Sequence, residues 1–108
     1  MSGLTLKIVT PEGTDKTVDC DSVILWMAAD EKGRGEGSIG IRKGHTSTVI
    51  ALGNGPMAAS INGKAVFSGQ TQGGFATVFQ NVVTVVTPHL TIWSRSFDPL
   101  KIDHDQAF

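Results

Sequence analysis

Along the chain, apolar and polar positions alternate in short bursts separated by glycine-rich breaks. Leu4, Leu6 and Ile8 alternate with Thr5, Lys7 and Val9, a period-two spacing that predicts a strand with one core-facing side. The turn-forming stretch "TPEG" ends it. From Thr17 to Met27 the residues are again β-branched and apolar. The second half of that segment is apolar on both faces, which predicts a strand covered on both sides. "ADEKGRGEG", from Ala29 to Gly37, is polar and reads as an exposed loop. "SIGI", the break "RKGH", "TSTVIAL" and the turn "GNGP" follow. "MAASI" and "KAVFS" then flank Asn62-Gly63, a pair that tolerates positive φ at both positions and so predicts a two-residue type I′ hairpin. Phe75, Thr77 and Phe79 share one face of the next strand, with Ala76 and Val78 on the other. Gln80 and Asn81 join it to Val82–Thr87, and "HLTIW" adds a final strand after Pro88.

No apolar pattern of period 3.6 lasts the ten or so residues that would predict a helix. The reading is all-β, with eight to ten short strands in a sandwich or barrel. At 108 residues the chain suits one domain, able to bury roughly two-thirds of its unfolded surface. Residues 1–93 carry the strand pattern, and "SRSFDPLKIDHDQAF", from Ser94 to Phe108, reads as an irregular tail.

Charge removes some functions from consideration. Nine basic and ten acidic residues nearly cancel, so no broad field draws nucleic acid or an anionic membrane. The start has no charged segment leading into a long apolar one, so no secretory signal is expected. The longest apolar run, "VILWMAA", falls far short of the ~20 residues of a spanning helix, and no direct membrane insertion is expected. Cys20 is the single cysteine; it can form no internal disulfide and reads as a small buried hydrophobe.

Candidate chemistry is sparse. "GRGEGSIG" is glycine-rich, but no helix follows to aim its amides at a phosphate. In "IRKGHTS" the lysine precedes the glycine, against the order a phosphate loop needs. His45, His89 and His104 have no metal-ligand spacing, and one cysteine completes no usual zinc set. No "GxSxG" elbow is present. Trp26 and Trp93 fit partly buried strand ends where the indole N–H finds an acceptor; without a basic patch they make no nucleic-acid platform. The expectation is a protein that works through its surfaces: not an enzyme, and with no cofactor, metal or nucleotide.

"LTLKIVTPEG", "DSVIL", "GSIGIRKGH" and "GGFATVFQNVVTVV" resemble, in order and at similar spacing, the N-terminal β-sandwich domain of the epsilon subunit of F-type ATP synthases. The likeness runs from Leu4 to about Thr87. It implies ten strands in two five-stranded antiparallel sheets and a non-catalytic rotor subunit of the central stalk. Such a subunit is bound to the gamma subunit and rests on the c-ring, coupling ion translocation to ATP synthesis. The implied location is the cytoplasmic face of the energy-transducing membrane, as a peripheral protein, with a bacterial membrane expected. A paralogue of the same sandwich serving another protein partner, and a small β-sandwich ligand-binding protein or enzyme, are the other readings.

Only matching positions carry a role over. Gly37, Ser38, Gly40, Gly44 and His45 fall on the family's "G-E/S-x-G…G-H" segment, and with Arg42 and Lys43 they form the implied c-ring-facing loop. The chain departs from the family there. Arg42-Lys43 stands for an apolar-proline pair, Thr46-Ser47-Thr48 for "A-P-L", and Trp26 for a common proline. Losing prolines is expected to loosen the loop. The fifteen residues after Trp93 cannot hold the family's C-terminal pair of helices, so neither nucleotide binding nor inhibition by an extended arm is expected.

Overall fold

The protein was analysed as a computed structural model, which describes residues 3–11, 13 and 15–93. The tail expected at 94–108 lies outside them. Among the described residues there are ten strands and no helix: β1 (Leu4–Val9), β2 (Asp15–Cys20), β3 (Ser22–Met27), β4 (Gly37–Arg42), β5 (Thr48–Ala51), β6 (Asn54–Ile61), β7 (Lys64–Gln72), β8 (Phe75–Phe79), β9 (Val82–Val86) and β10 (Leu90–Ile92). They form two five-stranded sheets, ordered β2-β1-β9-β8-β5 and β10-β7-β6-β3-β4. Of the sandwich or barrel that the pattern allows, the sandwich that the resemblance implies is observed. Every pairing is antiparallel except β1 with β9, which is parallel; two parallel neighbours need a long crossover, and here four of the five strands of the second sheet lie between them in sequence.

The core sits between the sheets and follows the alternation. Leu4, Leu6 and Ile8 of β1, Val83 and Val85 of β9, and Ala76 and Val78 of β8 meet Val23 and Leu25 of β3, Met57 and Ala59 of β6 and Phe67 of β7, all buried. Lys16, opposite Ile8 in the β1–β2 register, carries its ammonium over the Phe67 ring, 5.9 Å from the centroid. It closes one open side of the sandwich with its stem.

The Thr17–Met27 segment is two strands in different sheets. The chain turns at Asp21, whose N–H donates to the Ser60 carbonyl at 2.9 Å and whose carboxylate accepts from the Asn62 N–H at 2.8 Å. The polar Asp19, Asp21 and Ser22 mark this corner in the sequence, where two strands that serve different sheets meet. The expected two-sided cover of its second half is absent: Val23 and Leu25 are buried, while Ile24 is 45% exposed.

Turns fix the ends. Asn62 and Gly63 have φ of 51° and 81°, the signature of the predicted type I′ hairpin. Gln80 and Asn81, at 48° and 65°, make a similar turn without glycine. At the opposite end buried threonines join the loops: the Thr71 hydroxyl donates to the Gly53 carbonyl at 3.1 Å and that of Thr87 to the Gly73 carbonyl at 2.9 Å. Gly74, at φ +99°, lies so close to Val86 that a Cβ there would overlap the Val86 carbonyl oxygen.

Candidate functional site

The seven residues expected to form one loop lie instead along one edge. Gly37, Ser38, Gly40 and Arg42 belong to β4, the last strand of the second sheet, and Lys43, Gly44 and His45 follow it. Ser38, Gly40, Arg42, Lys43 and Gly44 are exposed, whereas Gly37 and His45 are half-buried. From the β3–β4 register, Gly37 lies beside Met27 and Arg42 beside Ser22, so the two ends of the strand stand roughly 17 Å apart. The structure thus brings the set together as a continuous flank rather than a cluster.

The end of that flank is braced. The His45 N–H donates to the Arg42 carbonyl at 3.1 Å and Gly44 has φ +85°, which fits a type II turn with Lys43 in its second position. Side-chain Oδ1 of Asn81 accepts from the Gly44 N–H at 2.8 Å, while the Asn81 carbonyl accepts from Thr5 N–H at 2.9 Å. One residue of the β8–β9 turn therefore ties the β4 exit to the first sheet. His45 Nδ1 lies 2.8 Å from the Thr46 carbonyl. One cross-sheet hydrogen bond, from the Gly44 N–H to Asn81, anchors this turn.

Trp26 accounts for the other end. The β3–β6 pairing runs only from Ser22–Ser60 to Ile24–Ala58, and beyond it the Trp26 ring fills the gap between the strands. A Cβ on Gly55 would overlap that ring, and one on Gly53 would lie 3.1 Å from it. Indole Nε1–H donates to Glu36 Oε2 at 3.0 Å, the partly buried position with a polar partner that the sequence predicts. Asp30 organises the intervening loop, its Oδ1 accepting from the N–H groups of Lys32 and Arg34 at 2.8 Å each.

A second surface was not singled out in the sequence. Across the outer face of the first sheet the register builds three rungs: Phe75–Val86–Val9, Val49–Thr77–Thr84–Lys7, and Phe79–Val82–Thr5. Val49 is 71% exposed, Phe79 60% and Phe75 45%. In β8 the aromatic residues point outward and the smaller Ala76 and Val78 fill the core. Large exposed apolar residues on either side of the polar rung Thr77–Thr84–Lys7 make this face suited to an interaction. The signal available in the sequence was that β8 and β9 are apolar on both faces while only one can be buried.

Among the described residues no group of three or more His, Cys, Asp or Glu is placed to hold a metal. Cys20 is buried; burial, and secondarily the carboxylates of Asp19 and Asp21, push its thiol above the ordinary range, the opposite of an activated nucleophile. No helix of the described residues is long and apolar enough to cross a membrane.

Comparison with known proteins gives a consistent result. Residues 3–91 match the family model for the ATP synthase delta/epsilon chain β-sandwich domain. A curated relative, the ATP synthase epsilon chain of Synechococcus sp. (strain JA-2-3B'a(2-13)), is 34% identical over 83 residues, 77% of this chain and 55% of the relative. The chain thus spans about half the length of that relative. Among solved structures, a chain of the Euglena gracilis mitochondrial ATP synthase (OSCP/F1/c-ring, rotational state 1) superposes with a TM-score of 0.67 at 22% identity, covering 99% of this chain and 63% of that one. A chain of the Tetrahymena thermophila mitochondrial ATP synthase (central stalk and c-ring) does so with 0.59 at 19% identity, covering 96% and 72%. At these identities the superpositions speak to the fold.

Proposed function

The chain belongs to the ATP synthase delta/epsilon β-sandwich family, and from that membership we propose that it is a non-catalytic central-stalk subunit of an F-type ATP synthase. In this reading it joins the gamma subunit to the c-ring and helps couple ion translocation to ATP synthesis. It lies peripherally on the cytoplasmic face of the energy-transducing membrane; a bacterial membrane is favoured by the cyanobacterial relative. The sandwich of residues 1–93 is the working unit.

One observation carries the reading: the apolar outer face of the first sheet, built on Val9, Val49, Phe75 and Phe79. A monomer gains nothing from exposing two phenylalanines while alanine and valine fill the core beneath them; a subunit bound for a partner does, because the desolvated centre of an interface is apolar and aromatic. We assign this face to gamma. The β4 flank, from Gly37 through Ser38, Gly40 and Arg42 to Lys43, Gly44 and His45, is assigned to the ring. Its glycines allow close backbone approach, and the Asn81 brace keeps its end in place. Stiffness is a requirement of the role, since a coupling element that opens locally transmits no torque.

Co-purification of the tagged chain with the gamma and c subunits of its own source tests the proposal. Recovery of both is expected. A folded sandwich that recovers neither would instead favour a paralogue serving another partner.

A further inference from the structure

The turn at the end of the β4 flank carries two adjacent cations in a setting that asks for none. Lys43 occupies the second position of a type II turn, where proline is well suited. Its aliphatic stem lies along Gly3, close enough that a Cβ there would stand 2.9 Å from Lys43 Cδ. Arg42 precedes it as the last residue of the edge strand. Both are exposed, and among the described residues neither is in a salt bridge, the one ion pair being Arg34 with Asp30. The neighbouring Asp21 carboxylate is already engaged by the Asn62 N–H. The chain's net charge is −1, so these cations form a local feature rather than part of a general basic field.

We propose that the Arg42–Lys43 turn is an electrostatic dock for carboxylate side chains on the loop of the ring subunit. The inference rests on the rotor reading above and specifies the chemistry of its ring contact. The geometry suits it. Arg42 presents a planar fork that matches a carboxylate with two parallel bonds, and Lys43 supplies a compact second charge beside it. Asn81 is a positioning residue: through the Gly44 N–H it fixes the turn from the first sheet, so the two cations do not lose their arrangement when the flank is loaded. A charged rim of this kind governs association rate and register more than total affinity.

The test uses the full chain, purified gamma, and the detergent-solubilised c-ring from the same source, over a salt series. Wild-type association with the ring is expected to weaken about tenfold between low and high salt, and Arg42→Glu/Lys43→Glu is expected to weaken it at least about tenfold at low salt. Gamma binding should stay unchanged in that variant, which also certifies that it folds. Ring binding by the reversal variant equal to wild type, or indifferent to salt, overturns the proposal and leaves the rotor reading standing. Failure of the wild-type chain to bind either gamma or ring removes both. Vesicles containing about a third anionic lipid form a separate arm: binding to them that is lost on charge reversal, with no ring binding, would reassign the dock to lipid headgroups.

Discussion

The two sheets bury similar inner faces and present very different outer ones. On the first, three cross-strand rungs place Phe75, Val86 and Val9, then Val49, and then Phe79 and Val82 toward solvent. On the second, the central strands show Pro56, Ala58 and Ser60 beside Ser68 and Gln70, with Ile24 as their exposed large apolar residue. Inner faces answer to packing, and both sheets satisfy that in the same way. Outer faces are free to differ, so what they carry reports what each side meets. The contrast makes the first sheet's outer face, rather than that of the second, the one suited to a broad protein partner.

The largest expected effect sharpens the difference between inside and outside. Phe67→Ala removes a fully buried ring and should cost about 3–5 kcal/mol, read as a lower urea midpoint. Phe79→Ala, at an exposed rung, should change stability by no more than about 0.5 kcal/mol; equal losses would erase the distinction. Next, Phe75→Ser/Phe79→Ser should weaken gamma binding by about 2 kcal/mol or more while the melting curve stays in place. Asn81→Ala removes the acceptor that links the β4 exit to the first sheet and should cost about 1 kcal/mol, with faster amide exchange at Gly44 as its local mark. Lys43→Pro should stabilise the chain by about 0.4–1 kcal/mol, since the turn accepts proline at that position. Such a gain would mean that the native lysine is not there for the fold.

One pH effect arises in the core. Because burial raises the Cys20 thiol above its unfolded value, the unfolded chain releases that proton first. Stability from this group is therefore whole below about pH 8.5 and falls as pH rises from there through the folded value. Cys20→Ala should flatten that alkaline slope in denaturant titrations, and an unchanged slope would assign it elsewhere.

Much of the fold was legible because burial follows the period-two pattern, as Leu4, Leu6 and Ile8 illustrate, and because Asn62-Gly63 has one natural hairpin. The corner at Asp21 was less so: no glycine or proline marks it, and only the polar Asp19, Asp21 and Ser22 interrupt the strand pattern there. Nor was the parallel pairing of β1 with β9, which depends on contacts between opposite ends of the chain. The candidate flank was found as a set of residues, with "SIGI" among the recurring strands, but its place at the edge of a sheet shows only in its pairing with β3. The outward turn of Phe75 and Phe79 escaped for a further reason. Alternation tells which residues share a face, and only packing against the second sheet tells which face is inside.

The central claim is that the first sheet's outer face is the gamma dock, and calorimetric titration of purified gamma with three versions of the chain tests it most directly. The account predicts that wild type binds, that Phe75→Ser/Phe79→Ser loses most of that affinity without losing its fold, and that Gln70→Glu on the second sheet binds as wild type does. Unchanged binding by the first-sheet variant, or loss of binding by the second-sheet one, would contradict it.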